Sequence, residues 1–368
     1  MNVVLTGGGT AGHVFPALAV AGELRDSHGA SVTFIGATDG QEARLVPDAG
    51  FPFLGLRVRS AQSRLSPATL GAVALAFRGA RACRGTVENA DVVVSIGGFA
   101  SASAVLAARR THRPLVLMEP NSVPGAVNRI AARWADVVAT TFAATERRLP
   151  AGVRVERTGN PIRPQIAAVA TDRARLRVEA ASAFDLREDR TTVLVVGGSQ
   201  GARHLDEVLA QSLPALADRT DVQILVSTGP ANLDIVGGAV DTGVPLLVRA
   251  VPFIERMDRA LAIADLAVSR AGASVAELAA CGLASILVPY PHATENHQEA
   301  NALEIVAAGA ATMLRDADLS SSTLTAGILD LVDDESTRKS MGAAAAAWAR
   351  PDAAMRIAAL AVEVARPR

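Results

Sequence analysis

The chain has 368 residues, half of them hydrophobic, and its 36 basic residues nearly balance its 37 acidic ones. This length exceeds what one hydrophobic core usually supports, so we expect two domains. The balanced charge argues against a dedicated nucleic-acid binder, because such proteins carry an excess of basic residues. Cys83 and Cys281 fit no metal or redox spacing, which predicts buried thiols in a reducing compartment.

Neither a secretory signal nor a membrane span is predicted. The first residues lack the basic, apolar and cleavage regions of a signal peptide, so we expect a protein that stays in the cytoplasm. Apolar stretches such as 92–108 are interrupted by Gly and Ser, which indicates strand, turn and helix instead of a transmembrane helix.

Short β-branched segments alternate with Ala- and Leu-rich helical patterns along the chain. The segments predict strands at residues 3–6, 31–35, 92–96, 115–118, 193–196, 223–227, 266–269 and 285–288. Continuous apolar strands between helices indicate parallel sheets that are covered by helices on both faces.

The strand pattern restarts after a polar, arginine-rich stretch at 171–191. We therefore predict an α/β protein with two doubly wound, Rossmann-like domains, residues 1–162 and 163–350, that face a central cleft. Asn160-Pro161 disfavours helix and suits the hinge between them. Ligands of such sheets bind beyond the carboxyl ends of the strands, so we expect the site in the cleft.

Glycine-rich turns follow several of these strands. Residues 7–12 fit the spacing GxGxxG after a strand and before a helical pattern at 16–25, and Asp39 lies where the ribose carboxylate of an NAD site would be. An NAD-dependent oxidoreductase is therefore one alternative. Further glycine corners occur at 97–98, 197–202 and 270–274. Corners in both halves favour a ligand bound between two domains over a single dinucleotide loop.

Five segments carry a resemblance to a known family. They are 8–13 (GGTAGH), 119–125 (EPNSVPG), 158–163 (TGNPIR), 197–203 (GGSQGAR) and 297–302 (HQEANA). In order and spacing, over nearly the whole chain, they resemble the peptidoglycan N-acetylglucosaminyltransferases, which have the two-domain GT-B fold and make lipid II from lipid I.

The resemblance implies inverting transfer of N-acetylglucosamine from UDP-N-acetylglucosamine to the C4 hydroxyl of the N-acetylmuramoyl-pentapeptide of undecaprenyl-diphosphate-linked lipid I. It implies that residues 1–162 bind the acceptor and the membrane and that 163–350 bind the UDP-sugar. The break at Pro351 predicts a last helix, 351–368, that crosses back to the first domain. A UDP-sugar 2-epimerase of similar architecture, another UDP-sugar:lipid glycosyltransferase and a non-catalytic nucleotide-binding protein remain alternatives.

The donor diphosphate is expected at the 197–203 corner. Backbone amides at a helix start, together with Ser199 and Gln200, can receive phosphate charge there without a metal. The sequence has no His/Cys cluster, so neither a metal nor another cofactor is expected. Arg163 at the hinge is expected to contact the phosphate.

Other donor contacts are expected from both halves. The resemblance implies that Glu277 binds the ribose hydroxyls and that the main chain at Ile254 holds uracil. Gln298, and Asn301 within one helical turn of it, have the amide donors and acceptors that suit sugar hydroxyls. The remaining predicted donor residues are Thr10, Ala11, Gly12, Ala273, Ser274 and Asn121, the last of which suits polar groups of donor or acceptor.

His13 is the predicted catalytic base. It follows the first glycine loop on the acceptor side, and an imidazole with a pKa near neutrality suits removal of a hydroxyl proton. The alternative is a structural histidine that caps loop carbonyls.

A basic, partly apolar segment predicts membrane contact. Residues 57–87 contain six arginines (57, 59, 64, 78, 81 and 84) and no acidic residue. A helical stripe of Leu70, Val73, Ala74 and Phe77 leads to Arg81 and Arg84, which is typical of an interfacial helix on anionic phospholipid of the inner leaflet. Packing of this stripe on the sheet is the alternative. The resemblance places Gly98 beside the acceptor diphosphate, which implies a peripheral enzyme on the cytoplasmic face of the membrane.

Overall fold

The computed structural model describes residues 1–58, 67–198 and 201–365. Its contacts divide the chain into two compact units. Unit 1 contains residues 1–163 and 350–368, and unit 2 contains residues 164–349.

Unit 1 is built on a seven-stranded sheet in the order β3-β2-β1-β4-β5-β6-β7, with every neighbouring pair parallel. Its elements in chain order are β1 (Asn2–Thr6), α1 (Ala11–His28), β2 (Ser31–Ala37), α2 (Glu42–Asp48), β3 (Phe53–Leu56), α3 (Pro67–Ala82), α4 (Arg84–Glu88), β4 (Val92–Ser95), α5 (Ala102–Thr111), β5 (Leu115–Glu119), α6 (Ala126–Ala131), β6 (Val137–Thr140), α7 (Ala143–Glu146) and β7 (Val155–Arg157).

Unit 2 is built on a six-stranded parallel sheet in the order β10-β9-β8-β11-β12-β13. Its elements are α8 (Pro164–Ala167), α9 (Val169–Phe184), β8 (Thr191–Val196), α10 (Arg203–Leu216), β9 (Val222–Ser227), α11 (Leu233–Gly237), β10 (Leu247–Val251), α12 (Met257–Ile263), β11 (Leu266–Ser269), α13 (Ser274–Ala280), β12 (Ala284–Leu287), α14 (His297–Ala307), β13 (Thr312–Met313), α15 (Ser321–Asp333) and α16 (Glu335–Trp348).

The predicted fold class, an α/β protein with two doubly wound parallel sheets, is confirmed. The strands are continuously apolar because both faces of each sheet are covered. In β1, Val3 and Leu5 pack into one hydrophobic cluster of unit 1, while Val4 between them packs into the other. Successive side chains of a strand point to opposite faces, so a strand buried on both sides has no polar alternation.

The last helix, α17 (Ala353–Ala365), belongs to unit 1. Ile357 and Ala361 of α17 lie in the same cluster as Val3 and Leu5 of the first strand.

The first helix starts earlier than the sequence pattern predicts. The pattern indicated helix from residue 16, whereas α1 begins at Ala11 and contains Pro16 in its interior. Pro16 has no N–H to complete its turn, but Val14, Val20 and Leu24 are all buried on the sheet. Burial of this apolar face outweighs the local cost of proline, and it places His13 in the first helical turn.

The arginine-rich stretch that separates the two strand patterns forms α9 and its following loop, fixed to unit 2. The Arg173 guanidinium donates to the carbonyl oxygens of Ala262 at 3.2 Å and of Cys281 at 3.4 Å. Arg177 donates to the Ile263 carbonyl oxygen at 2.7 Å and is paired with Asp265 at 3.1 Å. These guanidinium groups satisfy carbonyls at helix ends that would otherwise lack donors.

Candidate active site

Each sheet has a topological switch point, where a ligand of a doubly wound fold binds. In unit 1, β1 lies between β2 and β4, so the chain leaves these neighbouring strands in opposite directions. The loops after β1 and β4 touch here, because a Cβ atom added at Gly98 would lie 3.3 Å from the Gly8 carbonyl oxygen. Gly7 has a φ of 137°, and its Cβ would lie 2.1 Å from Ile96. Only glycine permits this close approach.

His13 lies in the first turn of α1, directly after this loop. Its Nδ1 atom is 3.0 Å from the Thr10 hydroxyl oxygen. A neutral imidazole has one protonated nitrogen, so Nε2 can accept a proton only if Nδ1–H donates to the Thr10 oxygen. The Thr10 hydroxyl can accept this hydrogen bond, so the contact is compatible with the tautomer that a base requires.

Glu42, at the start of α2, is a buried carboxylate that the sequence analysis missed. Its Oε2 accepts the Gly9 amide and its Oε1 accepts the Ala37 amide, both at 2.8 Å. The Gly9 amide of the first glycine loop is therefore already bound to a carboxylate. This charge disfavours phosphate binding there, which weakens the case for a dinucleotide at residues 7–12.

A second buried carboxylate, Glu119, lies at the end of β5. It accepts the Asn121 amide at 3.0 Å, the Gly125 amide at 3.0 Å and the Asn128 side-chain amide at 3.0 Å. Burial raises the pKa of Glu119 to about 7, although these hydrogen bonds act in the opposite direction. The carboxylate thus holds the loop that presents Asn121, whose carbonyl oxygen accepts the Thr145 hydroxyl at 2.8 Å.

Arg163 is the last residue of the first segment of unit 1. Its guanidinium carbon lies 4.7 Å from the centre of the Phe15 ring, a cation–π contact. Arg163, which was predicted to contact the phosphate, therefore lies against helix α1 at Phe15, two residues after His13.

In unit 2, the glycine corner after β8 packs tightly against the end of β9. A Cβ atom at Gly201 would lie 1.9 Å from the Thr228 carbonyl oxygen. Thr228 also accepts the Asn232 side-chain amide, which in turn donates to the buried Asp206 carboxylate at 2.9 Å. Two predicted ligands of this corner, Ser199 and Gln200, lie outside the described residues, as do the side chains of Ala11 and Leu70.

The corner after β11 and the helix α14 come together in unit 2. Gln298 Nε2 lies 3.7 Å from where a Cβ atom at Gly272 would be, and Gln298 Oε1 accepts the Tyr290 amide at 2.9 Å. The backbone amide can only donate, so the Gln298 oxygen is occupied and its NH₂ group faces the corner. The buried Asn301 donates to the Ala271 carbonyl oxygen at 3.0 Å, which holds α14 on this corner.

The remaining predicted donor residues of unit 2 lie at this corner, except for Ile254, which follows the edge strand β10. Ala273 precedes α13, Ser274 is its first residue, and Glu277 is one turn further along, partly exposed. The Ser274 hydroxyl donates to the Arg270 carbonyl oxygen at 3.2 Å. Ile254 follows β10, and its side chain is buried, which leaves its main chain for a ligand.

Arg270 is a further residue whose role the sequence analysis did not recognise. Its buried guanidinium donates to the Val288 and Pro289 carbonyl oxygens, both at 3.2 Å, and to the Asp316 carboxylate. It thereby fixes the end of β12, from which the chain runs to Gln298.

The basic segment of unit 1 exposes an apolar strip. Val73 and Phe77 on α3 are each 49% exposed, and Arg78 and Arg81 are exposed beside them. The helix becomes buried towards its C-terminal end, at Ala80, and Cys83, which follows the helix, is also buried. Arg84 forms a 2.7 Å ion pair with Glu88. Within the described parts of the chain, no helix is long and apolar enough to span a bilayer.

Both halves of the chain match models of one glycosyltransferase family. Residues 3–140 match the glycosyltransferase family 28 N-terminal domain, and residues 192–357 match the glycosyltransferase family 28 C-terminal domain. With the two parallel sheets, these matches define a glycosyltransferase of the GT-B fold.

The relatives narrow this class. A protein from a Nocardioides species, named UDP-N-acetylglucosamine–N-acetylmuramyl-(pentapeptide) pyrophosphoryl-undecaprenol N-acetylglucosamine transferase, is 42% identical over 99% of this chain and 98% of its own length. A protein of the same name from Desulforamulus reducens is 36% identical over 96% of both chains. The crystal structure of MurG from Acinetobacter baumannii superposes with a TM-score of 0.77 and 29% identity, covering 98% of this chain and 99% of that one. The chain therefore belongs to this family of N-acetylglucosamine transferases.

A UDP-GlcNAc 2-epimerase from Neisseria meningitidis also superposes, with a TM-score of 0.68 over 99% of this chain and 100% of that one. Its sequence is only 12% identical, so this similarity shows a shared fold alone.

Proposed function

We propose that the chain transfers N-acetylglucosamine, with inversion, from UDP-N-acetylglucosamine to the C4 hydroxyl of the N-acetylmuramoyl-pentapeptide unit of undecaprenyl-diphosphate-linked lipid I. The product is lipid II, the disaccharide intermediate of peptidoglycan synthesis. The observation that carries this proposal is the match to relatives named for this transfer, at 36–42% identity over 96–99% of the chain.

The donor is assigned to residues 163–350. Its diphosphate would accept hydrogen bonds from the N-terminus of α10 and from Ser199 and Gln200, where the helix dipole favours negative charge. The Gln298 NH₂ group would donate to a sugar hydroxyl, and Glu277 would accept from the ribose hydroxyls. The Ile254 main chain would hold uracil, and the other proposed donor contacts are Thr10, Ala11, Gly12, Asn121, Arg163, Ala273 and Ser274.

The acceptor is assigned to residues 1–162 with 351–368. His13 Nε2 would remove the proton of the C4 hydroxyl as its oxygen bonds to the anomeric carbon of the donor sugar. The bond between that carbon and the β-phosphate oxygen breaks on the opposite side, and UDP leaves with the electron pair. One displacement of this kind inverts the anomeric configuration. Gly98, in the loop that touches Gly8, would lie beside the acceptor diphosphate.

The exposed strip on α3 would bring unit 1 to its lipid-linked substrate. Val73 and Phe77 would enter the interface of the cytoplasmic leaflet, with Leu70 continuing the stripe. Arg78, Arg81 and Arg84 would contact anionic phospholipid headgroups. The enzyme would then be peripheral, and we expect no nucleic-acid partner.

A transfer assay tests this function against the alternatives. The chain is incubated with radiolabelled UDP-N-acetylglucosamine, with and without a water-dispersible lipid I analogue, and the lipid-linked disaccharide is separated from free sugars. Acceptor-dependent disaccharide with stoichiometric UDP release supports the proposal. Free N-acetylmannosamine without acceptor would instead identify a 2-epimerase, and NAD binding by calorimetry would point to an oxidoreductase.

Glu277→Ala tests the donor assignment. Loss of a hydrogen bond to a charged group costs about 1.5–3 kcal/mol, so UDP affinity should fall by roughly 10- to 100-fold. Glu335→Ala, which removes an exposed carboxylate on α16 of the same unit, serves as the control for a lost surface charge. Equal UDP affinity in Glu277→Ala and the parent protein would refute the ribose contact.

A further inference from the structure

Three glycines from separate segments converge on one buried carboxylate, Glu42. A Cβ atom at Gly8, in the loop after β1, would lie 2.2 Å from Glu42. At Gly36, in β2, the distance would be 2.6 Å, and at Gly40, before α2, it would be 2.3 Å. No other residue leaves room for this side chain, so three positions of the chain are adapted to hold it.

The carboxylate fixes the peptide that leads to His13. One of its oxygens accepts the Gly9 amide and the other accepts the Ala37 amide, and the side chain is only 1% exposed. Charge-assisted hydrogen bonds of this kind are strong and directional. The loop held in this way continues directly into Thr10, whose hydroxyl contacts His13.

Glycine-rich backbone is conformationally free, and Gly7, Gly8 and Gly9 all have positive φ angles. A loop of three such residues does not by itself hold the start of α1 in one place. The Glu42 carboxylate joins this loop to the end of β2 through two backbone amides. These two hydrogen bonds therefore fix the position of the proposed base, His13, relative to the sheet.

We propose that Glu42 is a positioning residue for the transfer reaction: it holds the loop of residues 8–10 so that the His13 imidazole meets the acceptor hydroxyl. This inference rests on the proposed function and on His13 as its base. Glu42 itself touches neither substrate in this scheme. Its loss should therefore reduce kcat by a larger factor than it raises the donor KM, because Thr10 of the same loop is only one of many proposed donor contacts.

Two variants disturb the carboxylate in different ways. Glu42→Gln replaces one acceptor oxygen by an NH₂ group that faces a backbone donor, and Gly40→Ala places a methyl group where the carboxylate lies. Misplacement of a catalytic group by about 1 Å can cost on the order of 100-fold, so we expect each variant to lower kcat about 10- to 100-fold. The KM for UDP-N-acetylglucosamine should change by a clearly smaller factor than kcat does. Glu23→Gln, on α1, is the matched control for the loss of one carboxylate and should retain parental kcat.

A double-mutant cycle with His13→Ala decides whether Glu42 acts through the histidine. If it does, Glu42→Gln/His13→Ala should be no slower than His13→Ala alone, because the positioned group is already absent. Effects that multiply would overturn the proposal, and so would parental kcat in both single variants. If Glu42→Gln does not fold, the same cycle is run with Gly40→Ala. Near-parental kcat in His13→Ala would also overturn the proposal, while acceptor-dependent transfer by the parent protein would leave the proposed function standing.

Discussion

Asp206→Asn should make unit 2 more stable at neutral pH. The Asp206 side chain on α10 is fully buried. Among the described residues, one of its carboxylate oxygens accepts the Asn232 side-chain amide and the other has no hydrogen-bond partner. Burial raises the pKa of this carboxyl to about 6 from an ordinary value of 3.8. An asparagine can accept from Asn232 with its oxygen and carries no charge that must be desolvated.

The magnitude follows from the shift in pKa. A rise of about two units corresponds to about 3 kcal/mol of unfolding free energy lost when the carboxyl is ionised. A negative charge near the start of α10 is favoured by the helix dipole, a contribution of about 0.3–1 kcal/mol that asparagine gives up. The net gain expected for Asp206→Asn above pH 7 is therefore about 2 kcal/mol, or roughly 4–8 °C in the Tm of unit 2.

The sign of the pH dependence is also defined. A carboxyl whose pKa is raised by folding contributes stability below its unfolded pKa and loses it as pH rises through the folded value. The advantage of Asp206→Asn should therefore be small near pH 4, grow between about pH 4 and 6, and remain constant above pH 7.

Urea unfolding at pH 4.5 and pH 8, followed by circular dichroism and by tryptophan fluorescence, measures this difference, with Trp134 of unit 1 replaced by Phe in every variant so that the emission comes from Trp348 of unit 2. Asp234→Asn on the exposed side of α11 is the control and should change stability by less than about 0.5 kcal/mol. Equal stability of Asp206→Asn and the parent at pH 8 would refute the claim that burial of the ionised Asp206 carboxylate destabilises unit 2.

Three further predictions concern the reaction. His13→Ala should lower kcat by about 10²–10⁴-fold, with UDP binding retained by calorimetry and the acidic limb of the kcat–pH profile lost; near-parental turnover would assign the base to another residue. Gln298→Glu keeps the acceptor for the Tyr290 amide but removes both donors, so discrimination between UDP-N-acetylglucosamine and UDP-glucose should weaken, and unchanged kcat/KM for both donors would contradict the role of the NH₂ group. Changing Arg78, Arg81 and Arg84 together to Glu should release the protein from anionic vesicles, because each arginine contributes about 1 kcal/mol to binding an anionic surface, while UDP affinity should persist. Unchanged co-sedimentation with the vesicles would reject the membrane face.

Much of the fold and the location of the site could be predicted from the sequence because the relevant signals are local. Continuous apolar strands such as 92–96 and 193–196 reflect burial on both faces of a sheet, and this requirement is the same wherever the strand lies. Glycines that follow strands indicate close backbone approach at a helix start. These patterns identified the doubly wound class and the glycine-rich corners after its strands, and motif order identified the family.

The tertiary structure decided which side chains hold those corners. Glu42 is separated from Gly9 by more than thirty residues, and nothing in its local pattern marks it as buried, since a carboxylate at the start of a helix is commonly exposed. The direction of the Gln298 amide depends likewise on the Tyr290 amide of a preceding loop. The raised pKa of Glu119 depends on burial and on donors from neighbouring segments. Burial, charge and hydrogen-bond direction arise when separate segments meet, so they became visible only in the folded chain.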